Sequence, residues 1–215
     1  MFFTKPLLLP FLAAYYTASV KSKWNNVHKI MLLAFLFSWF GDISLMLTPE
    51  TISDTHLMGI PKSKYFFLLG LGSFLITQLL FIRAFRNAVS SAKNTVSTIG
   101  YLPFLFYWAA MMFVVLPPLY ANQEKNAAII PVVVYAAILV SMAATALNRY
   151  KNTAPESFTY TFIGACLFVI SDSLIAINFL ALKEPMYHAG FLIMTTYMAA
   201  EFLIAYGILE HFKEQ

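Results

Sequence analysis

Hydrophobic positions along the chain fall into seven long runs separated by short polar stretches, at about residues 6–20, 27–47, 65–85, 98–118, 127–147, 158–181 and 189–210. Each run reaches or approaches the roughly 20 apolar residues a helix needs to cross a bilayer core. The pattern predicts an all-α protein: a polytopic bundle of seven transmembrane helices forming one domain over residues 1–215. The first run, Lys5 followed by PLLLPFLAA, also has features of a signal peptide. Its nearly bare N-terminal region and the second helix close behind it favour a retained helix. Prolines punctuate the connections. Pro49 and Pro61 bracket the second loop, Pro117 and Pro118 are expected to end the fourth helix, and Pro155 and Pro185 flank the sixth. Helices two and six each carry a small residue before Asp, in Gly41-Asp42 and Ser171-Asp172, but their surroundings do not align as an internal repeat.

Composition sharpens the class. The chain is 60% hydrophobic and 11% charged, against roughly 45–50% and about 25% in soluble domains. Those values exclude a disordered chain, a nucleic-acid binder and an ordinary cytosolic enzyme. The net charge of +4 reads as basic cytoplasmic loops. With seven spans, nine of the 14 Lys and Arg residues fall in the first, third and fifth loops and the C-terminal tail. That places the C-terminus in the cytoplasm and the N-terminus outside. Cys166 is the only cysteine, so no disulfide forms within the chain.

Candidate chemistry lies in the apolar runs themselves, where Asp42, Asp172 and Glu201 have no basic residue one turn away. A central Asp costs roughly 2.5–3.5 kcal/mol on insertion, so an intramembrane acid is by default a functional candidate. Asp42 stands five residues before Leu47 and Asp172 nine before Ala181, which is about 7 and 13 Å of helix. Both are expected in the outer half of the bundle, on the face where helix one begins with Lys5. A cation there would neutralise an acid, hold a lipid phosphate, or simply snorkel to water. Ser38, Gln78, Tyr135, Asn178 and Tyr197 are the polar groups available to complete a cavity. A lone Tyr or Gln in such a helix also has a structural use, as an interhelical hydrogen bond. The chain has no Gly-x-Ser-x-Gly elbow, His-Glu-x-x-His, phosphate-binding loop or dinucleotide glycine pattern, and its four His lack metal-ligand spacing. No metal and no cofactor are expected.

In order and spacing, these pieces resemble the YhhN-like family of integral membrane proteins, whose characterised members are lysoplasmalogenases. The match runs through Lys5-Pro6, Gly41-Asp42 with Leu45-Met46, Gly72 and Phe74, Pro131 with Tyr135 and Met142, Gly164 with Leu167-Phe168 and Ser171-Asp172, and Tyr197 with Ala200. Family members often carry an extra helix before the Lys-Pro element, so eight helices are possible. The resemblance implies a hydrolase of a bacterial cytoplasmic membrane that cleaves the vinyl ether of 1-alkenyl lysophospholipids. It assigns the catalytic role to Asp42 and Asp172, with Lys5, Gln78, Tyr135, Asn178, Tyr197 and Glu201 as candidates for substrate binding. The family pattern usually has His where this chain has Gln78, and Gln where it has Glu201. Protonation at the β-carbon of a vinyl ether gives an oxocarbenium ion that water captures, and two carboxyls in different environments suit that chemistry. Asp172 is expected to be the acid and Asp42 the base, both in one wet pocket. The expected partners are the lysophospholipid and membrane lipids, with no nucleic acid. The alternative reading is a proton-coupled transporter using the acids as a relay. A third is a lipid-binding or structural membrane protein whose acids only pair.

Overall fold

The computed structural model describes residues 5–20, 24–47, 56–57, 60–89, 96–122, 126–182, 184 and 186–213. Its α-helices are α1 (Lys5–Ser19), α2 (Asn26–Met46), α3 (Lys62–Asn87), α4 (Leu102–Ala121), α5 (Ile129–Leu147), α6 (Pro155–Ala176) and α7 (Ala189–Lys213). Six of the seven are long and apolar enough to cross a membrane; α1, with 15 residues, falls short of that length. A two-rung antiparallel ladder, His56 with Pro61 and Leu57 with Ile60, precedes α3. Large apolar side chains point outward along the spans, Phe113 being 82% exposed and Ile130 76%, while Asp42, Asp172 and Glu201 are buried. That inside-out distribution suits lipid as the solvent.

The chain divides into two compact units, Met1–Ala84 and Phe85–Gln215. In the first, Asn25 caps α2 by accepting from the amides of Val27 (2.9 Å) and His28 (3.1 Å). His28 is buried and shares a hydrogen bond with Tyr16 of α1 at 2.9 Å. Pro10 lies inside α1 and has no N–H to give the carbonyl of Pro6, four residues earlier. The indole N–H of Trp39 takes that carbonyl instead, at 2.7 Å. A defect in one helix thereby becomes the bond that ties it to the next.

In the second unit α6 begins with Pro155 and Glu156, a first turn that suits both the missing amide donor and the helix dipole. α6 ends in a π-helical turn, Ile177–Ala181. Pro117 and Pro118 do not end α4, contrary to expectation; the helix continues to Ala121. Leu119 is fully buried in a cluster with Val115 and Val132, and that packing outweighs two missing amide donors in a final turn. Pro155 opens α6, whereas Pro49 and Pro185 lie outside the described residues. Close contact between α6 and α7 depends on two glycines. A Cβ on Gly164 would come within 2.9 Å of the Ala200 carbonyl, and one on Gly207 within 2.6 Å of the Thr161 amide.

Candidate functional site

Three consecutive side chains of α6 grip three different helices. Ser171 donates through Oγ to the Ile193 carbonyl of α7 at 3.0 Å. Asp172 accepts on Oδ2 from the Tyr135 hydroxyl of α5. Ser173 spends its hydroxyl proton on the Val169 carbonyl at 2.7 Å, so Tyr107 of α4 must be the donor in the hydrogen bond between their oxygens. Asp172 is thus held by Tyr135 at the centre of a polar hub inside an apolar unit, between two serines that tie α6 to its neighbours.

The other candidates of this unit are arranged along the helices on either side of the hub. Tyr197 of α7 is buried edge-on against Phe168, with ring centroids 5.6 Å apart, one turn of α6 from Asp172. Asn178 lies beyond the hub in the π turn, and its Oδ1 accepts from the Met186 amide at 2.8 Å, which fastens the connection to α7. Glu201 is fully buried, but the α6–α7 register sets it beside Gly164. Gly164 is eight residues before Asp172, about 12 Å of helix. Tyr135 therefore touches the acid directly, Tyr197 and Asn178 flank it, and Glu201 stands two turns away.

In the first unit Asp42 is buried on α2, one turn after Ser38 and three residues after Trp39. Ser38 donates to Thr77 Oγ1 at 3.2 Å, and Thr77 is within reach of the carbonyls of Ala34 and Ser73, at 3.3 and 3.2 Å. Gly41 lies under the Phe74 ring, 2.7 Å from where its Cβ would be. These contacts fix an antiparallel α2–α3 register in which Gln78, fully buried, follows Thr77 and sits about one turn from the level of Asp42. The Lys5 side chain lies outside the described residues. Its neighbour Pro6 is bonded to Trp39, which brings the start of α1 to the Asp42 end of α2.

Sequence reasoning passed over Tyr107, Ser173 and Thr77 as site residues. The signal for the first two was present: a hydroxyl on each side of an intramembrane acid, and a lone Tyr in the middle of an apolar run. Chemically the hub offers a carboxyl whose one oxygen is fixed by a phenol, an arrangement suited to proton transfer.

Comparison with known proteins places the chain in a family. The YhhN family matches over residues 1–208. Proteins named lysoplasmalogenase from Mycobacterium bovis and Mycobacterium tuberculosis are each 32% identical over 151 residues, which is 70% of this chain and 54% of theirs. The chain thus spans about half the length of the curated relatives it matches. No solved structure matches it. With the family covering nearly every described element, including both aspartate-bearing helices, the chain belongs to the YhhN family.

Proposed function

We propose that this chain is a membrane-embedded hydrolase that cleaves the vinyl ether of a 1-alkenyl lysophospholipid, releasing a fatty aldehyde and a glycerophospho-base. The observation that carries the reading is Asp172, a buried acid clasped by Tyr135 in a YhhN-family chain similar to lysoplasmalogenases. Protonated Asp172 gives its proton to the β-carbon of the vinyl ether, leaving an oxocarbenium ion. As that proton leaves, the Tyr135 bond becomes charge-assisted and stronger, which favours the transition state over the resting acid. Asp42 takes a proton from the water that attacks the cation, and a hemiacetal forms. Asp42 then returns its proton to the ether oxygen while the hemiacetal hydroxyl reprotonates Asp172. Aldehyde and alcohol separate and both carboxyls are reset.

Membership of the membrane family and six spanning helices support a substrate taken from the lipid phase. The test is direct. The purified chain in detergent is given alkenyl and acyl lysolipids side by side, and aldehyde and free fatty acid are measured. Aldehyde from the alkenyl lipid alone is the expected result. No aldehyde in detergent, together with solute uptake into vesicles that collapses with the proton gradient, would replace the hydrolase with a proton-coupled carrier.

A further inference from the structure

Arg149 follows α5 by two residues and is 1% exposed, the largest fully buried side chain among the described residues. It makes one side-chain hydrogen bond, from Nη2 to Ser157 Oγ at 2.7 Å, and Ser157 passes its own proton to the Gly207 carbonyl at 2.6 Å. Its Nε and Nη1 are buried without a hydrogen-bond partner. Among the described residues no carboxylate pairs with it. Burial lowers the guanidinium only to about 10, so the charge persists at neutral pH. A titratable neighbour is His211 in the last turn of α7, close enough to feel that charge, and its ring is bonded to the backbone of Ala88.

Removing an ion from water costs several kcal/mol unless a counter-charge and hydrogen bonds replace the solvent. One serine hydroxyl does not do that. Arg149 sits just beyond the apolar span of α5, at the depth where lipid headgroups lie, and Lys151 and Lys213 stand at the same end of the unit. A guanidinium with several N–H groups to offer suits a tetrahedral phosphate bearing more than one anionic oxygen. We propose that Arg149, positioned by Ser157 and with His211 close by, forms a binding site for a phosphate group, carried by an anionic lipid headgroup or free in solution. Arg149 lies in the turn Asn148–Thr153, which closes on the Arg149 carbonyl through the amides of Asn152 and Thr153 and holds Lys151 at φ 58°. Fifteen residues of α6, about 22 Å, separate Ser157 from Asp172. The site is therefore separate from the hub and does not rest on the hydrolase reading.

The experiment follows thermal unfolding of the full chain in detergent. One arm titrates phosphatidylglycerol against phosphatidylcholine; the other titrates inorganic phosphate against chloride at equal ionic strength. The melting temperature of the unsubstituted chain should rise by about 5 °C at saturation with a phosphate ligand. Arg149→Lys should keep a weakened response and Arg149→Gln should lose it. If the Gln variant does not fold, Ser157→Ala supplies the second reading, with saturation moved to higher ligand concentration. A response to phosphatidylglycerol alone assigns the site to lipid, and one to inorganic phosphate alone to the free anion. No response in the unsubstituted chain, or an equal response in Arg149→Lys and Arg149→Gln, would overturn the proposal.

Discussion

The two aspartate-bearing helices are held by different physics. At the α6–α7 contact, a glycine on each helix meets backbone of the other: the Ala200 carbonyl lies under Gly164 of α6, and the Thr161 amide, beside its own hydroxyl, under Gly207 of α7. On the α2–α3 contact they meet side chains, the Phe74 ring under Gly41 and the Leu45 methyl under Gly70. Asp172 accordingly stands on a pair of helices with no slack, its neighbours bonded to α4, α5 and α7. Asp42 stands on a contact that a ring flip or a Leu rotamer can adjust. Hydrogen bonds and backbone contact define one acid, whereas adaptable packing and a hydroxyl ladder surround the other. Rigidity suits a group that must present a proton in one direction, and some give suits a group that must admit water.

The strongest challenge to this contrast is chemical. Asp172→Asn keeps an oxygen for the Tyr135 hydroxyl and should fold, yet aldehyde release should drop by about 10²–10⁴-fold. Asp42→Asn should lose activity on the same scale. An Asp42→Asn chain with full turnover would leave Asp172 acting alone. Stability separates the two contacts next. Gly164→Ala forces backbone apart and should cost about 3 kcal/mol in reversible unfolding, while Gly41→Ala should cost about 1 kcal/mol as Phe74 turns aside. Equal losses would erase the distinction drawn here. Tyr135→Phe removes a hydrogen bond to a charged acceptor, worth about 1.5–3 kcal/mol. Turnover should therefore slow by about 10–100-fold, and adding Tyr135→Phe to the Asp172→Asn chain should produce little further loss. Smallest of all, Ser38→Ala should lower unfolding stability by about 1 kcal/mol and leave the rate near its starting value.

Much of this was readable before any coordinates. Seven apolar runs are enough to place seven helices, because hydropathy over 20 residues averages away local detail. Asp42 and Asp172 stood out because a charge in hydrocarbon is costly wherever it points. Tyr135 could be singled out as an interhelical bonder, but its partner depends on how α5 rotates against α6, which no local pattern encodes. The same is true of Tyr107 with Ser173. Arg149 counts in the sequence as one more loop charge; only the fold shows it sealed against Ser157. Pro117 and Pro118 mislead for the opposite reason. Their local preference is correct, but the buried Leu119 overrides it.

The proline in α1 carries a final lesson for engineering. Propensity scales would score Pro10→Ala as a repair, about 3 kcal/mol better in an isolated helix. In this chain the restored amide would compete with the indole of Trp39 for one acceptor, the Pro6 carbonyl. That carbonyl has two lone pairs, so the gain within α1 would be set against a shared and weaker tether between the Lys-Pro end and the helix that carries Asp42.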